Sequence, residues 1–145
     1  GLFVVSGCGR PAEKVHSDEA AAVAMIRRLG GKVEFDPNSA ERRVIKVYLH
    51  STAVTDADLA ALTRLSRLQN LFLGKTEISD AGLEHLSALT ELKTLSLNST
   101  RVTDAGLNSL ATLKNLKTLN VQETQVTAAG TKRLKQALPE LAVAR

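Results

Sequence analysis

The sequence predicts an α/β solenoid, in which a unit of one short strand and one helix is repeated along the chain. Apolar residues recur every 24 residues, in one column at Val54, Ile78, Val102 and Val126. Each unit also contains two apolar periods, one typical of a strand and one typical of a helix. Aromatic residues make up only 3% of the chain, so its core must consist of aliphatic layers. Stacked repeats satisfy all three observations.

The first half of each unit is predicted to be a strand. Its last two apolar positions are separated by one residue, as in a strand with one buried face. The pattern apolar-x-x-apolar-x-apolar occurs in Val44-Val47-Leu49, Leu68-Leu71-Leu73, Leu92-Leu95-Leu97 and Leu116-Leu119-Val121. Leu95 is therefore expected inside the central layer.

The second half of each unit is predicted to be a helix of about three turns. Leucines recur there at steps of three, as in Leu59, Leu62 and Leu65. A hydroxyl residue and an acid precede them, a pair that suits the capping and the dipole of a helix start. One strand and one helix cannot bury their apolar sides alone, so the units must stack. Stacking predicts a curved parallel sheet on the concave side and helices on the convex side.

These units resemble the leucine-rich-repeat superfamily. The resemblance is carried by Leu92-x-x-Leu95-x-Leu97-x-x-Thr100 and by Val102-Thr103-Asp104-Ala105-Gly106-Leu107, and it covers residues 44–139 as four repeats. The type is most similar to bacterial repeats often found in predicted envelope proteins. Threonine stands where the common repeat has Asn or Cys, and we expect its hydroxyl to bond the turn backbone. These positions are Thr52, Thr76, Thr100 and Thr124.

Two further columns call for a structural explanation. Glycine recurs at Gly82, Gly106 and Gly130, with Asp58 in the first unit. We interpret these glycines as places where adjacent turns approach too closely for a side chain. Aspartate recurs at Asp56, Asp80 and Asp104. Stacked carboxylates could share a cation, but capping of the helix start explains this column more simply.

The two ends of the array are predicted to be caps. Residues 17–43 contain an alanine-rich amphipathic stretch, Ser17 to Leu29, followed by a strand-turn-strand pattern. Residues 140–145 are expected to close the core as an irregular short strand, because Leu141 lies 25 rather than 24 residues beyond Leu116. Caps prevent exposure of the leucine ladder at the ends.

Residues 1–16 carry a separate signal. An apolar stretch ends in Ser6-Gly7-Cys8, which resembles the end of a bacterial lipoprotein signal peptide in truncated form. Cys8 is the only cysteine in the chain, so an acylated anchor followed by a flexible tether is the favoured interpretation. The alternative is an apolar terminus with no such role. The predicted location is the cell envelope, with the cytoplasm as the alternative.

No catalytic pattern emerges from the sequence. His16, His50 and His85 fall on the tether, a strand end and a repeat helix, and they are not expected to converge on a metal or a nucleophile. Phosphate-loop and nucleophile-elbow motifs do not occur. The net charge of +4 is mild and does not indicate nucleic-acid binding. We therefore expect no enzyme activity, cofactor or metal.

The predicted function is protein binding on the concave face of the sheet, with a cell-surface glycan as a less favoured ligand. Side chains alternate along a strand, so the residues between the buried leucines must point outward. These candidate binding residues are Lys46, Tyr48, His50, Asn70, Phe72, Thr94, Ser96, Asn98, Thr118, Asn120 and Gln122. The alternative is a structural or assembly segment of a larger repeat array, which interacts through its ends or its convex face. We expect a monomer if the chain is a binding module.

Overall fold

The computed structural model describes residues 15–145, so the predicted lipidation site Cys8 lies outside the described residues. Helices span Ala20–Arg28 (α1), Leu59–Leu62 (α2), Asp80–Leu86 (α3), Asp104–Leu107 (α4) and Ala128–Ala137 (α5). Strands span Lys32–Phe35 (β1), Val44–Tyr48 (β2), Asn70–Phe72 (β3), Thr94–Ser96 (β4), Thr118–Asn120 (β5) and Ala142–Ala144 (β6). The 3₁₀ turn Asn108–Leu110 continues α4.

The six strands form one sheet in chain order, from β1 to β6. β1 runs antiparallel to β2, and the later strands are parallel to one another. Leu71 pairs with Leu95 and Leu95 with Leu119, which confirms the 24-residue register. Neighbouring repeat helices contact one another, so they form a row beside the sheet.

The predicted irregularity of the last strand is wrong. Thr118 pairs with Ala142, so the backbone of β6 keeps the 24-residue register of the other strands. What changes is the side-chain sequence: Glu140 occupies the leucine column, and Leu138 and Leu141 are buried instead. The long helix α5 and the turn after it bring these two leucines onto the end of the core.

The core is a continuous ladder of aliphatic side chains. Leu71, Leu95 and Leu119 are fully buried in consecutive strands. The helix leucines Leu59, Leu83 and Leu107 close the ladder from the other side. This packing places the candidate binding residues on the opposite face of a rigid sheet.

The threonine column bonds the turn backbone as predicted. The Oγ1 of each threonine donates to the carbonyl three residues earlier, at 2.6 to 2.7 Å, in Thr52, Thr76, Thr100 and Thr124. Thr76 and Thr100 are buried, so these bonds satisfy groups that water does not reach.

The helices of the first three repeats are shorter than the predicted three turns, whereas α5, with ten residues, is close to that length. α2 and α4 contain four residues each. After Leu62 the backbone continues in three-residue turns, in which Arg64 N–H donates to Ala61 and Leu65 N–H to Leu62. A leucine spacing of three matches this 3₁₀ geometry, whose period is about three residues, better than it matches an α-helix.

The aspartate column has a different role from the predicted capping of its own helix. Asp80 accepts hydrogen bonds from the N–H of Thr103, at 2.7 Å, and from its Oγ1, at 2.5 Å. These donors belong to the next repeat. The same two bonds join Asp56 to Ser79 and Asp104 to Thr127. The column is therefore a carboxylate ladder that connects successive repeats.

The glycine column makes room for this ladder, which confirms its interpretation as a packing device. A Cβ on Gly82 would lie 2.5 Å from Oδ1 of Asp56. Gly106 and Gly130 face Asp80 and Asp104 in the same way. A side chain at these positions would displace the carboxylate.

The N-terminal cap is joined to the first repeat by a buried carboxylate. Glu19 is fully buried, and its Oε1 accepts from the N–H of Val44 at 2.9 Å. Its Oε2 lies 3.6 Å from a guanidinium nitrogen of Arg43. Across residues 15–145, no helix has the length and apolarity that a membrane crossing requires.

Candidate functional site

The outward strand positions form one face of the sheet, which we call the open face. None of the eleven predicted binding residues is buried, while the leucines and valines between them are. His50, Thr118 and Gln122 are the most exposed, and the others are half-buried by their neighbours. The structure therefore brings the predicted residues together on a continuous surface, in rows that follow the strand register.

The most distinctive feature of the open face is an aromatic stack. The rings of Tyr48 and Phe72 have centroids 5.0 Å apart and planes 5° apart. They occupy paired positions on β2 and β3, where the spacing of neighbouring strands imposes this distance. The stack is a cross-strand pair that stabilises the sheet. The other side of Phe72 adjoins the small side chain of Ser96, its partner on β4.

Glu34 of the cap strand fixes the orientation of Tyr48. The Tyr48 hydroxyl donates to Oε2 of Glu34 at 2.8 Å, and Nζ of Lys46 lies 3.4 Å from Oε1. The hydrogen bond from Tyr48, followed by interactions with Lys46, lowers the pKa of Glu34 below its ordinary 4.5. The same hydrogen bond raises the pKa of Tyr48 above 10.0. The tyrosine is thus a neutral donor at physiological pH.

The list of candidate residues did not include Glu34. The signal was present in the alternation Lys32-Val33-Glu34-Phe35, where Val33 must face the same side as Val47. Pairing this strand antiparallel to β2 would have placed Glu34 opposite Lys46 and on the open face.

A polar cluster lies beside the aromatic stack, over Gly74. A Cβ on this glycine would lie 2.9 Å from Nδ1 of His50 and would collide with Oδ1 of Asn98. Ser96 Oγ donates to the same Asn98 oxygen at 2.8 Å. Side chains from the ends of β2 and β4 therefore converge over the end of β3, where glycine leaves space.

The rest of the open face consists of small polar side chains. Thr94 and Thr118 lie in one row, and Asn120 lies beside Ser96. Asn120 Oδ1 accepts from the N–H of Gln122 at 3.0 Å, which holds this amide in place. Hydroxyl and amide groups on a rigid sheet can bind by hydrogen bonding, and the stacked rings add apolar contact area.

The histidines do not form a common site. His16 accepts from the N–H of Asp18 near the start of α1, and His85 lies in the last turn of α3. His50 alone of the three belongs to the open face. Among the described residues, no group of three or more His, Cys, Asp or Glu side chains is arranged to hold a metal ion.

No protein-family model and no curated protein sequence matches this chain. Several solved structures are similar. A leucine-rich-repeat protein of Leptospira interrogans has a TM-score of 0.48 and 18% identity, over 59% of this chain and 21% of that protein. An internalin of Listeria monocytogenes has a TM-score of 0.49 and 23% identity, over 70% of this chain and 34% of that protein.

A third similar structure is the leucine-rich-repeat ectodomain of a receptor kinase from Arabidopsis thaliana, with a TM-score of 0.48 and 16% identity over 90% of this chain and 92% of that one. The chain spans about a fifth of the Leptospira protein and about a third of the internalin. The assignment of the fold rests on the strand order and the 24-residue register of this chain itself. The chain has the α/β solenoid fold of leucine-rich-repeat proteins.

Proposed function

We propose that this chain is a non-catalytic scaffold that binds a protein partner on its open face. The observation that carries the proposal is the aromatic stack of Tyr48 and Phe72, which stands on a sheet whose other outward side chains are small and polar. Aromatic residues supply large contact area at a low entropic cost, and they are enriched among interface hot spots.

The chemistry of this face favours a protein over other partners. Its charged groups near the stack, Glu34 and Lys46, form an ion pair with each other, so the face presents no single-sign field. An apolar or aromatic side chain of the partner would pack on the free side of Phe72 above Ser96. Asn98 and His50 would form hydrogen bonds at its rim. Capture of a cell-surface glycan is the alternative outcome of the test.

The test first identifies the partner and then measures its affinity. A photo-crosslinking amino acid at Thr94 reports contacts of the open face, and one at the exposed Glu84 reports contacts of the helix row. The protein captured only from Thr94 is then purified, and its binding is measured by calorimetry. We expect the double variant Tyr48→Ala, Phe72→Ala to bind at least about 10-fold more weakly.

The matched control is Glu84→Ala, Asn108→Ala, which removes two exposed side chains from the helix row and is expected to bind normally. Denaturation curves check that both variants are folded. Unchanged binding by a folded Tyr48→Ala, Phe72→Ala variant would overturn the open-face proposal. Capture of a glycan in place of a protein would overturn the choice of partner.

The second candidate function is an assembly segment that interacts through its ends or its helix row. The observation that favours it is the regular register of β6, whose outer edge can accept another strand. Light scattering over a range of concentrations separates the two functions. A monomer at all concentrations supports the binding module, and association that Val143→Pro abolishes supports assembly, because the N–H of Ala142 donates inward to Lys117 whereas that of Val143 faces the outer edge.

We also propose a location in the bacterial cell envelope, with Cys8 as the site of lipid attachment. The support is the sequence pattern alone, an apolar stretch that ends in Ser6-Gly7-Cys8. Mass spectrometry of the full-length native protein tests the proposal. An acylated N-terminal cysteine is the expected result, and an uncleaved, unmodified N-terminus would overturn it and favour the cytoplasm.

A further inference from the structure

The net charge of the chain is concentrated in residues 105–145. This segment contains six of the 19 Lys and Arg residues but only two of the 15 Asp and Glu residues. The difference equals the net charge of the whole chain, +4, so residues 1–104 carry none. Both acids have partners: Glu123 accepts from Ser99 Oγ at 2.9 Å, and Glu140 lies 3.5 Å from Nζ of Lys117.

The basic side chains extend across the last repeat, on a surface that we call the basic end surface. Its members are Lys114, Lys117, Lys132, Arg133, Lys135 and Arg145, all of them exposed. The central three project from α5, whose opposite side buries Leu134.

The other members lie at the two ends of α5. Lys114 and Lys117 line the same cleft as Ala137 and Pro139, where the helix ends. Arg145 follows β6. Its charge, like that of Arg133, attracts the carboxylate of Asp104. The positive charge therefore continues from the turn before β5, across the helix, to the end of β6.

We propose that the basic end surface binds the anionic headgroups of a phospholipid bilayer. The central charges stand on the exposed side of α5, the last helix of the row, where a broad surface can contact them together. Four of the six are lysines, whose flexible ammonium groups follow mobile headgroups without the fixed paired geometry of arginine. Residues 105–145 contain no aromatic side chain, so they lack the stacking groups that bind unpaired nucleotides.

This membrane contact is compatible with partner binding on the open face but does not depend on it. The central charges lie in the helix row, so the opposite face of the sheet stays accessible to a partner. A single acyl chain gives only marginal attachment, and a basic patch is one form of the second contact that stable anchoring needs. The surface would act in this way whether or not Cys8 is acylated.

The experiment measures binding of the unacylated 145-residue chain to vesicles by sedimentation. Vesicles of phosphatidylcholine alone are compared with vesicles that also contain phosphatidylglycerol, at low and high salt. We expect binding only to the anionic vesicles, and we expect high salt to release it because it screens exposed charges.

Two variants with the same net charge locate the contact. The variant Lys132→Gln, Arg133→Gln, Lys135→Gln removes three charges from α5. The control Arg28→Gln, Arg64→Gln, Lys75→Gln removes three exposed charges outside the basic end surface. At about fivefold per basic residue in contact, the first variant should bind about 100-fold more weakly, and the control less than about 10-fold more weakly.

Denaturation curves confirm that both variants fold, and both retain residues 1–14, so an apolar terminus affects them equally. Equal losses in the two variants would overturn the proposal, because they would reflect net charge rather than a surface. Absence of binding to anionic vesicles at low salt would also overturn it. If the chain instead bound a DNA duplex and no vesicle, the surface would be a nucleic-acid site.

Discussion

The first repeat and the three later repeats satisfy the same backbone donor in different ways. In the first, the N–H of Thr55 donates to Oδ2 of Asp58 at 3.0 Å, and the N–H of Asp58 donates back to Oγ1 of Thr55 at 3.3 Å. This is a capping box within one turn. In the later repeats, the equivalent N–H donates to the aspartate of the preceding repeat.

This difference explains why one column holds Asp58 in the first repeat and glycine in the others. The first repeat has no earlier repeat to supply a carboxylate, so its own side chain does so. In the later repeats the carboxylate arrives from outside, and only glycine leaves it room. The residue in this column thus depends on which unit supplies the acceptor.

The largest effect is expected from the core, which all repeats share however their helices begin. Leu95 is fully buried between repeats on both sides. Leu95→Ala should lower the free energy of unfolding by about 2–5 kcal/mol through lost burial and a cavity. Chemical denaturation measures this loss in the free energy of unfolding, with Thr94→Ala on the open face as the control. A loss below about 1 kcal/mol would mean that the repeats do not share one core.

The next largest effect tests the carboxylate ladder between repeats. Gly106→Ala should destabilise the protein by about 1–3 kcal/mol, because the new methyl group collides with the Asp80 carboxylate. Asp58→Ala, in the same column of the first repeat, should cost about 1 kcal/mol through loss of the capping box.

A second background makes this prediction sharper. In an Asp80→Ala protein the obstructing carboxylate is absent, and alanine is a better helix former than glycine. Gly106→Ala should then be neutral or stabilising. The same destabilisation in both backgrounds would contradict the proposed role of the glycine column.

A smaller effect concerns pH and the last connection of the ladder. Hydrogen bonds from the Thr127 side chain and backbone lower the pKa of Asp104 below its ordinary 3.8. A lowered carboxyl pKa contributes stability that is present above the unfolded pKa and is lost as the pH falls through the folded value. Asp104→Asn should therefore be less stable than the wild type at neutral pH, by less than about 1 kcal/mol because the side chain is partly exposed to solvent. Urea denaturation should show this difference shrinking below about pH 4, and a constant difference would contradict the assignment.

The smallest effect concerns the cap strand β1, which lies beside β2 in the place that a preceding repeat would occupy. Tyr48 is the only tyrosine in the chain, so its ionisation can be followed by ultraviolet absorbance. Its pKa should lie above 10.0, because ionisation loses the hydrogen bond to Glu34. The Glu34→Gln variant should titrate at lower pH than the wild type. Identical titrations would mean that Glu34 does not hold the tyrosine.

Much of the fold and of the open face followed from periodicity. A column such as Leu71, Leu95 and Leu119 reports burial directly, because each repeat experiences the same environment. Alternation along the strands then placed Tyr48 and Phe72 outward and beside each other, as the stack shows. The length of the helices was less predictable, because a leucine spacing of three is compatible with both an α-helix and a 3₁₀ turn.

The sequence by itself determined the period, the buried columns and the outward residues, since these depend on the order of polar and apolar residues along one chain. Only the tertiary structure decided which groups meet between units. Asp80 bonds Thr103 rather than its own helix, and Glu34 reaches Tyr48 from the cap strand. These contacts join side chains that are remote in sequence, so they depend on the distance between stacked backbones, which local patterns do not contain.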